Sequence, residues 1–104
     1  RKVKQLNLRS TSEFVFKEFP RILLELSDLE KLSFGFFCTY TELPAEIDRM
    51  KSLRILDLSN SRHLKELPSS IGKLTQLEEL NLEQTDLHEL PENIGELKKL
   101  KEMF

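Results

Sequence analysis

Apolar side chains recur along these 104 residues in a pattern that starts afresh four times. Each cycle opens with apolar positions spaced 0, 3 and 5: Val3-Leu6-Leu8, Leu29-Leu32-Phe34, Leu53-Leu56-Leu58 and Leu77-Leu80-Leu82. The last two of each triplet alternate with polar residues, which predicts a short strand with one buried face. Each cycle then reaches a proline. Pro20, Pro44, Pro68 and Pro91 stand 24, 24 and 23 residues apart and are the only prolines in the chain. Apolar residues follow each proline at plus three, plus six and plus nine: Leu23-Leu26-Leu29, Ile47-Met50-Leu53, Ile71-Leu74-Leu77 and Ile94-Leu97-Leu100. That spacing suits a helical or 3₁₀ return turn. Proline fixes φ near about −65° and lacks an N–H, so it is expected at the first helical position. Gly72 and Gly95 sit four residues after their prolines, where the earlier cycles carry Leu24 and Asp48. Glycine is therefore read as permitted there rather than required.

Self-similarity at a period of about 20–50 residues marks a solenoid. The predicted fold is an α/β solenoid of units 3–28, 29–52, 53–76 and 77–99, with a partial fifth unit at 100–104. One unit offers about eight inward apolar side chains, each worth roughly 1.5–3 kcal/mol on full burial, against a backbone ordering cost of roughly 1–2 kcal/mol per residue. A lone unit loses that contest, so neighbouring units must share walls. Strands about 4.8 Å apart on one side and bulkier turns on the other bend the stack into an arc. Short parallel strands are expected on its concave face and 3₁₀ or short helical turns on its convex face. Neither end shows a polar-faced terminal unit, and the chain stops inside a strand motif; both suggest part of a longer protein.

Composition narrows the function classes. Leucine fills 21 positions, which suits a core of repeated layers. One third of the residues are charged, yet the net charge is only −2, so no general drive toward nucleic acid or an anionic membrane exists. The single cysteine, Cys38, excludes an intrachain disulfide. No Asn-x-Ser/Thr acceptor occurs, no stretch approaches the roughly 20 apolar residues of a membrane span, and Arg1-Lys2-Val3-Lys4 leads straight into patterned sequence. A cytoplasmic location is the expectation.

The strand residues that alternate with the core positions should form an open face: Gln5, Asn7 and Arg9; Lys31 and Ser33, then Gly35; Ile55, Asp57 and Ser59; Glu79, Asn81 and Glu83. Charge along the chain runs from basic (Arg1, Lys2, Lys4, Arg9) to acidic (Glu78, Glu79, Glu83, Asp86, Glu89), a gradient able to orient a protein partner. A solvated sheet is polar on its open side in any case. Aromatic residues cluster between 14 and 40. Phe19, Phe34 and Tyr40 fall on regular core places, with Tyr40 matching Leu64, and Phe14 is the analogous place in the first unit. Phe16 and Phe36 have no inward place and are candidates for a binding rim, the competing reading being that they fill the longer first-unit loop.

Chemistry is poorly represented. His63 and His88 occupy different places in their units and cannot stack, so no metal is expected. Glu78, Glu79 and Glu83 lack the water-excluding pocket that acid–base work needs. No phosphate loop, Ser/His/Asp arrangement or Cys/His pair is present, so no cofactor or catalytic residue is assigned. Cys38 reads as a small buried hydrophobe.

The stretch Leu77 to Leu100, with its Leu-Pro-x-x-Ile-Gly-x-Leu tail, resembles a leucine-rich repeat of the intracellular 23–24-residue type. That type occurs in plant nucleotide-binding immune receptors, Ras-group scaffold proteins and some bacterial effectors. Leu56 to Gly72 leans toward the plant receptors. The resemblance implies a non-enzymatic module that binds a protein, or another domain of its own chain, with ligand sensing and autoinhibition in the plant receptors. Recognition repeats of a bacterial effector or signalling enzyme, and a purely structural spacer, are the alternatives. The family places Asn, Cys or Thr three residues after the last strand leucine, where the side chain satisfies the backbone of adjacent turns. Thr11, Phe37, Ser61 and Thr85 stand there, with Cys38 able to replace Phe37 through a one-residue bulge.

Overall fold

The computed structural model describes residues 4–8, 17–34 and 39–104. Among these residues five short strands form one parallel sheet in sequence order: β1 (Gln5–Leu8), β2 (Lys31–Phe34), β3 (Ile55–Asp57), β4 (Glu79–Asn81) and β5 (Glu102–Met103). Leu6, Leu32, Leu56, Leu80 and Met103 are successive Cα partners across it. The chain is thus an open solenoid, with the strands on the concave side and the return turns on the convex side.

Each return turn is a five-residue 3₁₀ segment: Arg21–Glu25, Ala45–Arg49, Ser69–Lys73 and Glu92–Glu96. The plus-three spacing has its cause here. A 3₁₀ helix has about 3.0 residues per turn, so every third side chain falls on one face. In the third turn, Ile71 N–H bonds Pro68 O at 3.1 Å, Leu74 N–H bonds Ile71 O at 3.2 Å and Leu77 N–H bonds Leu74 O at 3.0 Å. The same three residues are fully buried. The prolines sit one position earlier than expected. Each is the N-cap, with extended ψ between 102° and 150°, and its carbonyl accepts the first bond of the turn. Its missing N–H and fixed φ cost nothing there.

One contiguous core runs through the stack. Leu29, Leu32, Ile47, Met50, Leu53, Leu56, Leu58, Leu64, Ile71, Leu74, Leu77 and Leu80 are all fully enclosed. In the fourth unit Leu82, Leu87, Leu90 and Ile94 are only partly buried, while their third-unit equivalents Leu58, Leu64, Leu67 and Ile71 are buried, because a neighbouring layer covers them on one side only. Phe19, Phe34 and Tyr40 take their expected core places and meet at tilted and edge angles, with centroids 5.5–6.3 Å apart. The ladder position after β3 is filled by Ser61, fully buried, whose hydroxyl lies 2.7 Å from the Tyr40 hydroxyl. After β4 the Thr85 hydroxyl donates to Leu82 O at 2.8 Å. Thr11, Phe37 and Cys38 lie outside the described residues, as do Phe14, Phe16 and Phe36.

A second ladder joins the convex turns. Ser70 Oγ donates to Ala45 O at 2.5 Å, and Asn93 Nδ2 donates to Ser69 O. Both donors stand two residues after their prolines, and both acceptors one residue after the preceding proline. This packing changes the reading of Gly72. A Cβ there would lie 2.5 Å from the backbone oxygen of Asn93, so glycine is required, whereas at Gly95 a Cβ would meet nothing.

A candidate protein-binding face

The parallel register aligns the open-face side chains in columns. One reads Gln5, Lys31, Ile55, Glu79 and Glu102; the next reads Asn7, Ser33, Asp57 and Asn81. Phe104 continues the second column. Its N–H bonds Leu80 O at 3.0 Å and its carbonyl accepts from Leu82 N–H at 2.9 Å, which places it opposite Asn81. Thus Gln5, Asn7, Lys31, Ser33, Ile55, Asp57, Glu79 and Asn81 do share one face. Ser59 and Glu83 stand at its exit edge. Arg9 lies outside the described residues.

Within the face the side chains are not equivalent. Ser33 keeps only 7% of its surface open, too little for a contact of its own. Asp57 and Asn81 are partly committed to the chain. Asp57 Oδ1 accepts the Ser59 N–H at 3.0 Å and Asn81 Oδ1 accepts the Glu83 N–H at 3.0 Å. Each is an Asx turn that ends its strand, and Asn60 and Gln84 follow at φ 66° and 59°.

The predicted charge gradient is reorganised. Lys4, Glu30, Arg54, Glu78 and Lys101 each precede a strand and alternate in sign along one rim. Lys4 Nζ lies 3.0 Å from Glu30 Oε2, Arg54 Nη1 3.6 Å from Glu30 Oε1, Arg54 Nε 2.9 Å from Glu78 Oε2, and Lys101 Nζ 3.5 Å from Glu78 Oε1. The Lys4 hydrogen bond is the main cause that holds the Glu30 carboxyl below its usual range, and the Arg54 hydrogen bond does the same for Glu78. Lys4 and Glu78 therefore belong to a neutralised rim and leave the gradient. Sequence reasoning missed this ladder, although aligning the residue before each strand reveals it. Among the described residues no ion pair engages Lys31, Asp57, Glu79, Glu83 or Glu102, which remain as the charges of the face and its edge.

Away from this face, the segments leading into the 3₁₀ turns border an open indentation of about 750 Å³, lined by Lys17, Glu18, Arg21, Glu42, Glu46 and Glu66 among others. Among the described residues no group of three His, Cys, Asp or Glu is placed to hold a metal ion. No helix among them is long and apolar enough to cross a membrane. His63 and His88 are both exposed.

A parallel sheet of one strand per turn, a convex 3₁₀ return and a polar open face define a solenoid recognition module. The family profile described as a leucine-rich repeat region matches residues 22–104, and the chain belongs to that family. It is 38% identical over 80 residues to the TMV resistance protein N of Nicotiana glutinosa, covering 75% of this chain and 7% of that protein. It is 43% identical over 51 residues to the human leucine-rich repeat protein 1, covering 49% of this chain and 12% of that protein. Among solved structures, a leucine-rich-repeat protein of Leptospira interrogans superposes with a TM-score of 0.82 at 32% identity, covering 95% of this chain and 24% of that one. The chain therefore spans about a tenth of the length of these curated relatives. Domains of this family mediate protein–protein contacts, and this chain is such an interaction module.

Proposed function

We propose that the chain is the recognition part of a cytoplasmic leucine-rich-repeat sensor of the kind found in plant disease resistance proteins. It binds a protein, or another domain of its own parent, through the open face. The observation that carries this reading is that face itself: charged side chains in register, left unpaired beside a rim whose charges are neutralised. The 38% identity to a plant resistance protein supports the immune role. The second reading is recognition repeats of a larger bacterial effector or signalling enzyme; a bacterial leucine-rich-repeat protein shares this fold, and the domains flanking this segment discriminate the two.

Cross-linking followed by mass spectrometry in cytosol of the source organism tests the reading. Comparing the chain with its Glu79→Lys/Glu83→Lys variant should show a specific cross-linked protein lost from the variant. Identical sets for both would leave the segment as a spacer.

A further inference from the structure

The column Lys31, Ile55, Glu79, Glu102 presents cation, apolar, anion and anion on four successive strands. Parallel strands lie about 4.8 Å apart, so Ile55 stands about 5 Å from Lys31, Glu79 about 10 Å and Glu102 about 14 Å. An extended segment rises about 3.3 Å per residue, and every second side chain points the same way, so its downward side chains fall about 7 and 13 Å from the first. Laid across the strands, such a segment puts its first downward side chain over Lys31, its second beside Ile55 and its third between Glu79 and Glu102. The neighbouring column offers less charge, since Ser33 is buried, one Asp57 oxygen and the Asn81 side-chain oxygen already hold backbone N–H groups, and Phe104 at its far end adds exposed apolar surface.

Electrostatics selects the character of each side chain. Glu79 and Glu102 are direct Cα partners, and like charges opposite one another destabilise a sheet. A cation between them relieves that repulsion. Lys31 calls for an anion, and half-buried Ile55 for an apolar contact.

We propose that the open face takes an extended protein segment whose alternate side chains are acidic, apolar and basic, lying across the strands with the acidic end at Lys31. The inference rests on the reading of this face as the binding face, and it names the partner's chemistry.

The test is selection of a displayed library of random nine-residue peptides on the 104-residue chain, with bound peptides located by amide chemical shifts. Enriched peptides should carry acidic, apolar and basic residues two apart and should shift Lys31, Ile55, Glu79 and Glu102. Lys31→Glu should weaken them by about tenfold and turn selection toward peptides with two basic residues, while Glu79→Lys/Glu102→Lys should turn it toward two acidic residues. Peptides that shift this face without that spacing, or keep their affinity for both variants, overturn the proposed partner while the binding face stands. Binders that shift only the convex side, or no enrichment at all, overturn the binding-face reading and the proposal with it.

Discussion

The phenolic oxygen of Tyr40 lies 2.7 Å from the hydroxyl of Ser61, with both side chains enclosed by the core. The contact ties the aromatic layer of Phe19, Phe34 and Tyr40 to the next unit, where Leu64 fills the place equivalent to Tyr40. Removing one member of a buried hydrogen-bonded pair costs about 1–3 kcal/mol, while removing both costs less than the sum. Tyr40→Phe and Ser61→Ala are each expected to lower stability in that range. Their double variant should show a coupling of at least about 0.5 kcal/mol in urea unfolding. Strict additivity would mean that the two hydroxyls do not interact.

Position in the stack should set the cost of losing a leucine. Leu56 and Leu80 are fully enclosed between layers, whereas Leu82 is covered on one side only. Leu56→Ala and Leu80→Ala should each cost about 2–5 kcal/mol by cavity formation. Leu82→Ala should cost clearly less, because solvent already reaches its site. Denaturant midpoints measure all three, and a loss under about 1 kcal/mol at Leu56 would refute its place between two layers.

Most of the fold was legible because one period governs it. Leu32, Leu56 and Leu80 could be placed in one column from spacing alone, and the plus-three rhythm after each proline already carried the 3₁₀ repeat. The prolines were misplaced by one residue because the fixed φ suits either side of a turn's start, and only the acceptor role of the Pro68 carbonyl decides. The site was half legible. Alternation put Lys31, Ile55 and Glu79 on one face, but it could not show that Ser33 is buried or that Asp57 serves its own turn. Sequence adjacency groups Glu78 with Glu79, although Glu78 precedes the strand and turns to Arg54 and Lys101.

The rim ladder should make acid unfolding partly its own property. Glu30 is faced by Lys4 and Arg54, and Glu78 by Arg54 and Lys101; both carboxyls are held below their ordinary value of 4.5. A depressed folded value contributes stability above the unfolded value, lost as pH falls through the folded one. Stability should therefore decline as pH drops below about 4.5. The decline should be shallower in Glu30→Gln/Glu78→Gln, and salt should weaken the difference because the pairs are exposed. Urea midpoints between neutral and acid pH measure it. Parallel acid limbs for the two proteins would show that the ladder has no part in the pH response.

Gly72 and Gly95 occupy the same place after their prolines and should respond in opposite ways to the same substitution. A Cβ on Gly72 would meet the backbone oxygen of Asn93 at 2.5 Å and its Nδ2 at 2.9 Å, whereas a Cβ on Gly95 meets nothing. A backbone atom cannot swing aside as a side-chain tip can, so the turns must separate to admit the methyl. Such separation would stretch the bond from Asn93 to Ser69 O that joins them. Gly72→Ala should destabilise by about 1–3 kcal/mol through overpacking. Gly95→Ala should be neutral or stabilise by up to about 1 kcal/mol, because alanine restricts the unfolded chain at no steric cost. Paired thermal and urea unfolding of the two variants decides the matter. Equal effects would mean that the convex turns are not stacked as closely as Asn93 and Gly72 require.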